Sequence, residues 1–252
     1  MGLFGRKKPA GVGGGGGAGL PSGPEDQKSQ PGHQAVLRHL AEKEKEEPLI
    51  REQVAGGVIF DLAYQLLQDE RGVRIENLLA MLASVGGRQC IAPIAAAAPP
   101  GATFEQLGLI GMKGDDGRLY VFGDPPNRLL VESPESLISI AFGAAQSLGA
   151  PVSMEMIHAE MKLVASRAGK PDFELLDLPE RNMVDRPAEW ARVFTPKIVE
   201  GLDLYDVPPM RRATAIGFAI AKAMQVGMGN LNPMVAARIV LQCAVRAAKR
   251  LD

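Results

Sequence analysis

Two cysteines, three histidines and one tryptophan in 252 residues leave this chain poor in the side chains that most often carry chemistry. Cys90 and Cys243 are too few and too far apart for a zinc ribbon or a disulfide framework, and their scarcity fits a reducing cytoplasm. The formal charge of −1 and a pI near 6.3 create no overall field for nucleic acid or an anionic membrane. Long apolar runs are missing too. The best membrane-span candidate, residues 213–229, carries Lys222 and Gln225 and falls short of the ~20 apolar residues that a bilayer needs, so it reads as a buried helix. The basic opening lacks the apolar stretch of a signal peptide, and Arg6 departs from the myristoylation pattern after Gly2.

What is present is a chain that is 46% apolar and 23% charged, enough to bury a sizeable core. Residues 1–47 combine a glycine tract with the charge run EKEKEE and are expected to be a disordered tail, with a nascent helix at 39–47. The Gly11-x-Gly13-x-x-Gly16 match lies inside that tract with no strand before it and is not a nucleotide loop. From Pro48 the pattern is helical: Ile50, Val54, Val58, Leu62 and Leu66 recur every fourth residue. Gly56 and Gly57 within that helix either weaken it or admit a second backbone. A second helix over 74–85 stops at Gly86-Gly87, giving an αα-hairpin.

Apolar runs at 107–112, 119–122 and 129–131 alternate with the breakers Gly114-Asp115-Asp116-Gly117 and Gly123-Asp124-Pro125-Pro126-Asn127. That alternation predicts a three-stranded meander. Helices are expected from Ser133 to about 148 and from Ser153, then a short one with Trp190 and Phe194 ended by Pro196, and last 209–226 and 233–251. The fold class is therefore α+β: a small antiparallel three-stranded meander packed against six or seven helices, as a single domain over 48–252, with 207–252 readable as a C-terminal helical hairpin.

The chemical motifs fail one by one. Counted from Asp115, a calcium loop would need an acidic ligand at Pro126, and Lys113 is not followed by the Ser or Thr of a phosphate loop, so KGDDG reads as a hairpin corner. His158-Ala-Glu160 lacks the Pro-Cys-x-x-Cys half of a zinc deaminase, and Glu155-x-x-His158 occurs once where a di-iron bundle needs it twice. No Gly-x-Ser-x-Gly elbow occurs. A Cys90–His158 dyad is conceivable, with buried Cys90 and surface His158 as the plainer reading. No residue is assigned a catalytic, metal-binding or cofactor role, and no cofactor is expected.

Charge is uneven in one place. Residues 207–252 carry seven cations against Asp252, a local +6. Arg238, Gln242, Arg246 and Arg250 recur at four-residue spacing and form a polar stripe on an otherwise apolar helix, expected to be exposed. That stripe is the candidate partner-binding surface, toward an acidic protein rather than nucleic acid, since Phe218 alone could stack. The small residues Ala213, Gly217 and Ala221, four apart, admit a close helix neighbour within the fold or across a homodimer. The expected function is a cytoplasmic, non-catalytic protein-interaction or adaptor module that binds no membrane. The alternative is a small-ligand-binding protein or enzyme with a pocket near residues 86–98.

Overall fold

The structure, a computed structural model, describes residues 28–184 and 187–251. The rest of the expected tail, residues 1–27, lies outside the described residues. From there the chain forms α1 (Pro31–Lys43), α2 (Ile50–Leu67), α3 (Ile75–Gln89), the short α4 (Ala92–Ala96), β1 (Leu109–Lys113), β2 (Leu119–Gly123), the short α5 (Asp124–Asn127), α6 (Leu137–Ser147), α7 (Met154–Arg167), α8 (Pro187–Leu204), α9 (Arg212–Val226), α10 (Pro233–Ala247) and β3 (Arg250–Leu251). The α+β class holds, with an antiparallel sheet of order β1-β2-β3 against the helices.

Helix α3 is the hub. Residues 78–87 are all buried, and α2, α8, α9 and α10 pack around them. The segment Ile75–Ala96 has the length and composition to cross a membrane, yet 78% of its apolar window is buried inside the protein, as in a core helix. Contrary to the expected stop at Gly86-Gly87, α3 runs through both to Gln89. Gly87 is needed because α10 crosses there: a Cβ would stand 2.2 Å from the Ala244 carbonyl oxygen. Gly56 does the same for α2 and α9, where a Cβ would lie 2.6 Å from the Ala215 carbonyl oxygen. Gly217, the middle of the small-residue stripe, faces Ile140 and Leu137 of α6, so that stripe serves a contact inside the fold. Helices α9 and α10 each lie against α3.

Four local expectations are corrected. The run at 129–131 is not a strand: Pro125 and Pro126 occupy the first turn of α5, where a fixed φ favours a helix start, and the chain continues as a π-turn through Glu132. The third strand comes instead from the C-terminus, so the last helix ends at Ala247, and Arg250 pairs with Tyr120. Pro196 sits inside α8 rather than ending it, at an exposed position, where its missing N–H removes one helix hydrogen bond. Within the expected tail, α1 is a docked helix, with Leu40 buried and the His33 ring nitrogen Nε2 2.6 Å from the Leu204 carbonyl oxygen.

Gly56 and Gly57 are adjacent and chemically identical, yet nothing lies within 4 Å of a Cβ added at Gly57. Gly57→Ala should leave the protein as stable or up to ~1 kcal/mol more stable, by helix propensity. Gly56→Ala should cost about 1–3 kcal/mol through overpacking. Urea unfolding of both variants checks the contrast; equal midpoints would place the α2–α9 crossing elsewhere.

Candidate functional site

The middle of the stripe, Gln242 and Arg246, is turned inward, which corrects the expectation of an exposed surface there, whereas the Arg238 side chain stays 35% exposed and Arg250 lies in β3. Arg246 is 1% exposed and Gln242 4%. The Arg246 guanidinium donates to the carbonyls of Phe173 (2.9 Å), Leu175 (2.8 Å) and Gln242 (3.0 Å), and pairs with Glu160 of α7, itself 8% exposed. Gln242 accepts from the Asp177 amide at 2.8 Å and donates to its carbonyl at 3.1 Å. Arg238 reaches the Asp177 carboxylate at 2.6 Å, and Arg250 reaches Glu174 at 2.7 Å. The four side chains thus clamp the irregular segment 173–177 onto α10 and β3. Periodicity could not reveal this, because a polar stripe that faces an irregular segment looks the same as one that faces water.

The region of the alternative pocket, residues 86–98, is buried over its first half and exposed at 95–97. Gly86, Gly87, Gln89, Cys90, Ile91 and Pro93 are buried, and Arg88 contributes, with Glu174, Arg246 and Arg250, to a cavity of about 10 Å³, room for a single water. Nor do Cys90 and His158 form a dyad. Cys90 Sγ donates to the Gly86 carbonyl at 3.4 Å, whereas His158 is exposed. Burial pushes the Cys90 thiol up and the Cys243 thiol up to about 12, so neither is a thiolate near neutrality.

KGDDG is the corner that the sequence implies. Gly117 adopts φ 78°, and Asp116 accepts from the Arg118 amide at 3.0 Å and the Tyr120 hydroxyl at 2.8 Å, pinning the β1–β2 turn to the sheet. A broader groove of about 480 Å³ lies between α1 and residues 206–208; four of its charged side chains pair with one another, Lys28 with Asp206 at 2.9 Å and Arg51 with Glu44 at 2.7 Å, and Arg38 also lines it. Deeper beside it, burial pushes the Glu52 carboxyl up, and Arg211 Nε at 3.0 Å opposes that rise.

One buried amine was missed by sequence reasoning. Lys249 is 3% exposed, donates to Asn127 Oδ1 at 2.6 Å, and stands 5.6 Å from the centre of the Phe122 ring. Its backbone carbonyl accepts from the Val121 amide at 2.8 Å, which seats β3 on β2. No known family, curated protein or solved structure matches the chain.

Burial lowers the Lys249 amine from 10.5 to about 8. Between those values the unfolded chain binds the extra proton, so this group makes stability rise with pH. The two buried thiols act oppositely above pH 9, their ordinary value. Between pH 8 and 9 the native protein should therefore gain at most about 1.4 kcal/mol per pH unit relative to Lys249→Met. Melting curves across that range check it; parallel curves would contradict it.

Proposed function

We propose that the protein is a non-catalytic cytoplasmic interaction module that accepts an extended segment of a partner protein as an additional strand on β1. The observation that carries this reading is the edge itself. β1 terminates the sheet, and it exposes Ile110 at 69% and Met112 at 39%. Among the described residues no strand pairs with that edge, and long apolar side chains on an open edge strand are what natural proteins avoid unless something pairs there.

The hydrogen-bond register supports the same reading. The Val121 amide points to Lys249, so Tyr120 and Phe122 carry the backbone groups that face β1, opposite Met112 and Ile110. The amide and carbonyl of Gly111 consequently point outward, as does the Leu109 amide, which the Phe104 carbonyl takes at 2.8 Å. An added strand would bond Gly111 and Lys113, and its alternate apolar side chains would sit beside Ile110 and Met112, the usual division between affinity and specificity in strand addition. With Gln242 and Arg246 occupied inside the fold, the stripe gives less support to an acidic partner than the β1 edge gives to an added strand. The cytoplasmic placement rests on two buried, unpaired cysteines.

The test is peptide display against the full chain, followed by hydrogen exchange. Selected peptides should alternate apolar and polar residues, slow exchange at Gly111 and Lys113, and lose binding to Ile110→Lys, whose melting temperature should match the native protein. Peptides that protect another region, or that bind Ile110→Lys equally well, would overturn the reading. Concentration-dependent dimerisation abolished by Ile110→Lys would replace the partner segment with a second copy.

A further inference from the structure

The turn that leads into β1 holds one aromatic ring in a fixed place. The Thr103 amide donates to Gln106 Oε1 at 3.0 Å and the Gln106 amide to Thr103 Oγ1 at 3.3 Å, the reciprocal pattern of a capping box. Between them, the Phe104 carbonyl takes the amides of Leu107 at 3.0 Å and Leu109 at 2.8 Å. The turn is thereby tied to the first residue of β1, and its ring rests on Gly111, where a Cβ would stand 2.6 Å from Phe104 Cδ2. Gly111 is exposed and the Phe104 side chain above it is only half-buried.

We infer that the segment added to β1 runs antiparallel, sets an aromatic residue opposite Gly111 against the Phe104 ring, and sets an acidic residue opposite Lys113. This rests on the strand-addition reading and names the chemistry of the partner. Side chains alternate between the faces of a strand, so Leu109, Gly111 and Lys113 share the face that carries Phe104, and Ile110 and Met112 share the other. The sheet is antiparallel throughout, and antiparallel pairs are the more stable per residue. A residue bonded opposite Gly111 has its Cα about 5.5 Å away. Its side chain then stands beside a ring that already fills the space above Gly111, within reach of the roughly 4.5–7 Å centroid separation of an aromatic pair. Tyrosine suits this position, because its ring packs while its hydroxyl stays in water.

Lys113 sets the charge and its place. It is exposed, and among the described residues no carboxylate pairs with it, whereas the nearby Arg118 is paired with Asp116 at 3.3 Å. In an antiparallel strand the residue opposite Lys113 comes two positions before the aromatic and lies on the same face. Unlike charges directly opposite one another stabilise a cross-strand pair, and like charges destabilise it. With apolar residues beside Met112 and Ile110, the partner segment reads acidic, apolar, aromatic, apolar in that order.

The probe is the peptide Thr-Glu-Val-Tyr-Val-Thr, blocked at both ends and titrated into the full chain while NMR follows the Gly111 and Lys113 amides. It should bind with a dissociation constant below about 1 mM and slow hydrogen exchange at both amides. Replacing its Tyr by Ala should weaken binding at least about fivefold, and less than about twofold when the protein carries Phe104→Leu. Replacing its Glu by Lys should weaken binding at least about twofold, and Lys113→Glu, an exposed change, should reverse that order. If Phe104→Leu fails to fold, the two peptide substitutions and Lys113→Glu still decide. Equal binding at Gly111 by the Tyr and Ala peptides, or a charge order that Lys113→Glu leaves unchanged, would overturn this inference while strand addition stands. Peptides that protect neither Gly111 nor Lys113 would overturn both.

Discussion

The rest of the structure depends on one guanidinium. Arg246 is shut away from solvent, and a charge held there must be matched by acceptors of fixed geometry, because the low dielectric inside a protein penalises any donor left over. Glu160 supplies the counter-charge, and three backbone carbonyls supply the remaining acceptors. Those acceptors belong to α7, to the irregular segment after it and to α10 itself. No one of these elements can shift without stranding the charge. On the opposite side of α10, the Ala244 backbone meets Gly87 in a contact with no room for a side chain, so the helix is fixed from both sides.

The course of the chain beyond Arg246 is set by that placement. One turn further on, Lys249 reaches Asn127 and hands its carbonyl to Val121, and the next two residues become β3. Because β3 occupies the β2 side of the sheet, β1 is the open edge. On that edge strand the side chains of Ile110 and Met112 are exposed. The surface proposed to bind a partner and the interior charge that was expected to do so are thus linked through the same helix.

The sequence made the helices legible where an apolar face is continuous. Ile50, Val54, Val58 and Leu62 mark α2 as a helix, although they are only half-buried and its buried face runs through Ala55, Ile59 and Ala63, while Asp116-Gly117 marks the hairpin, since that turn needs a residue tolerant of positive φ. It concealed what depends on distant partners. A strand of two residues, Arg250–Leu251, is shorter than any alternation that could announce it. The Arg246 stripe has no signature of burial, because residues 173–177 are irregular and carry no period to match. The hydrogen bond from Asn182 to Glu76 joins residues 106 positions apart, and neither belongs to a motif. The double proline of α5 was visible, but it suits both a turn and a first helical turn.

Arg246 anchors the interior and does not face a partner. Equilibrium urea unfolding of Arg246→Met measures this directly, since the change keeps much of the side-chain volume while it leaves Glu160 buried without its counter-charge. The expected loss is about 3–5 kcal/mol, the cost of removing one partner from a buried ion pair. A change within about 0.5 kcal/mol, as an exposed position would give, would contradict it.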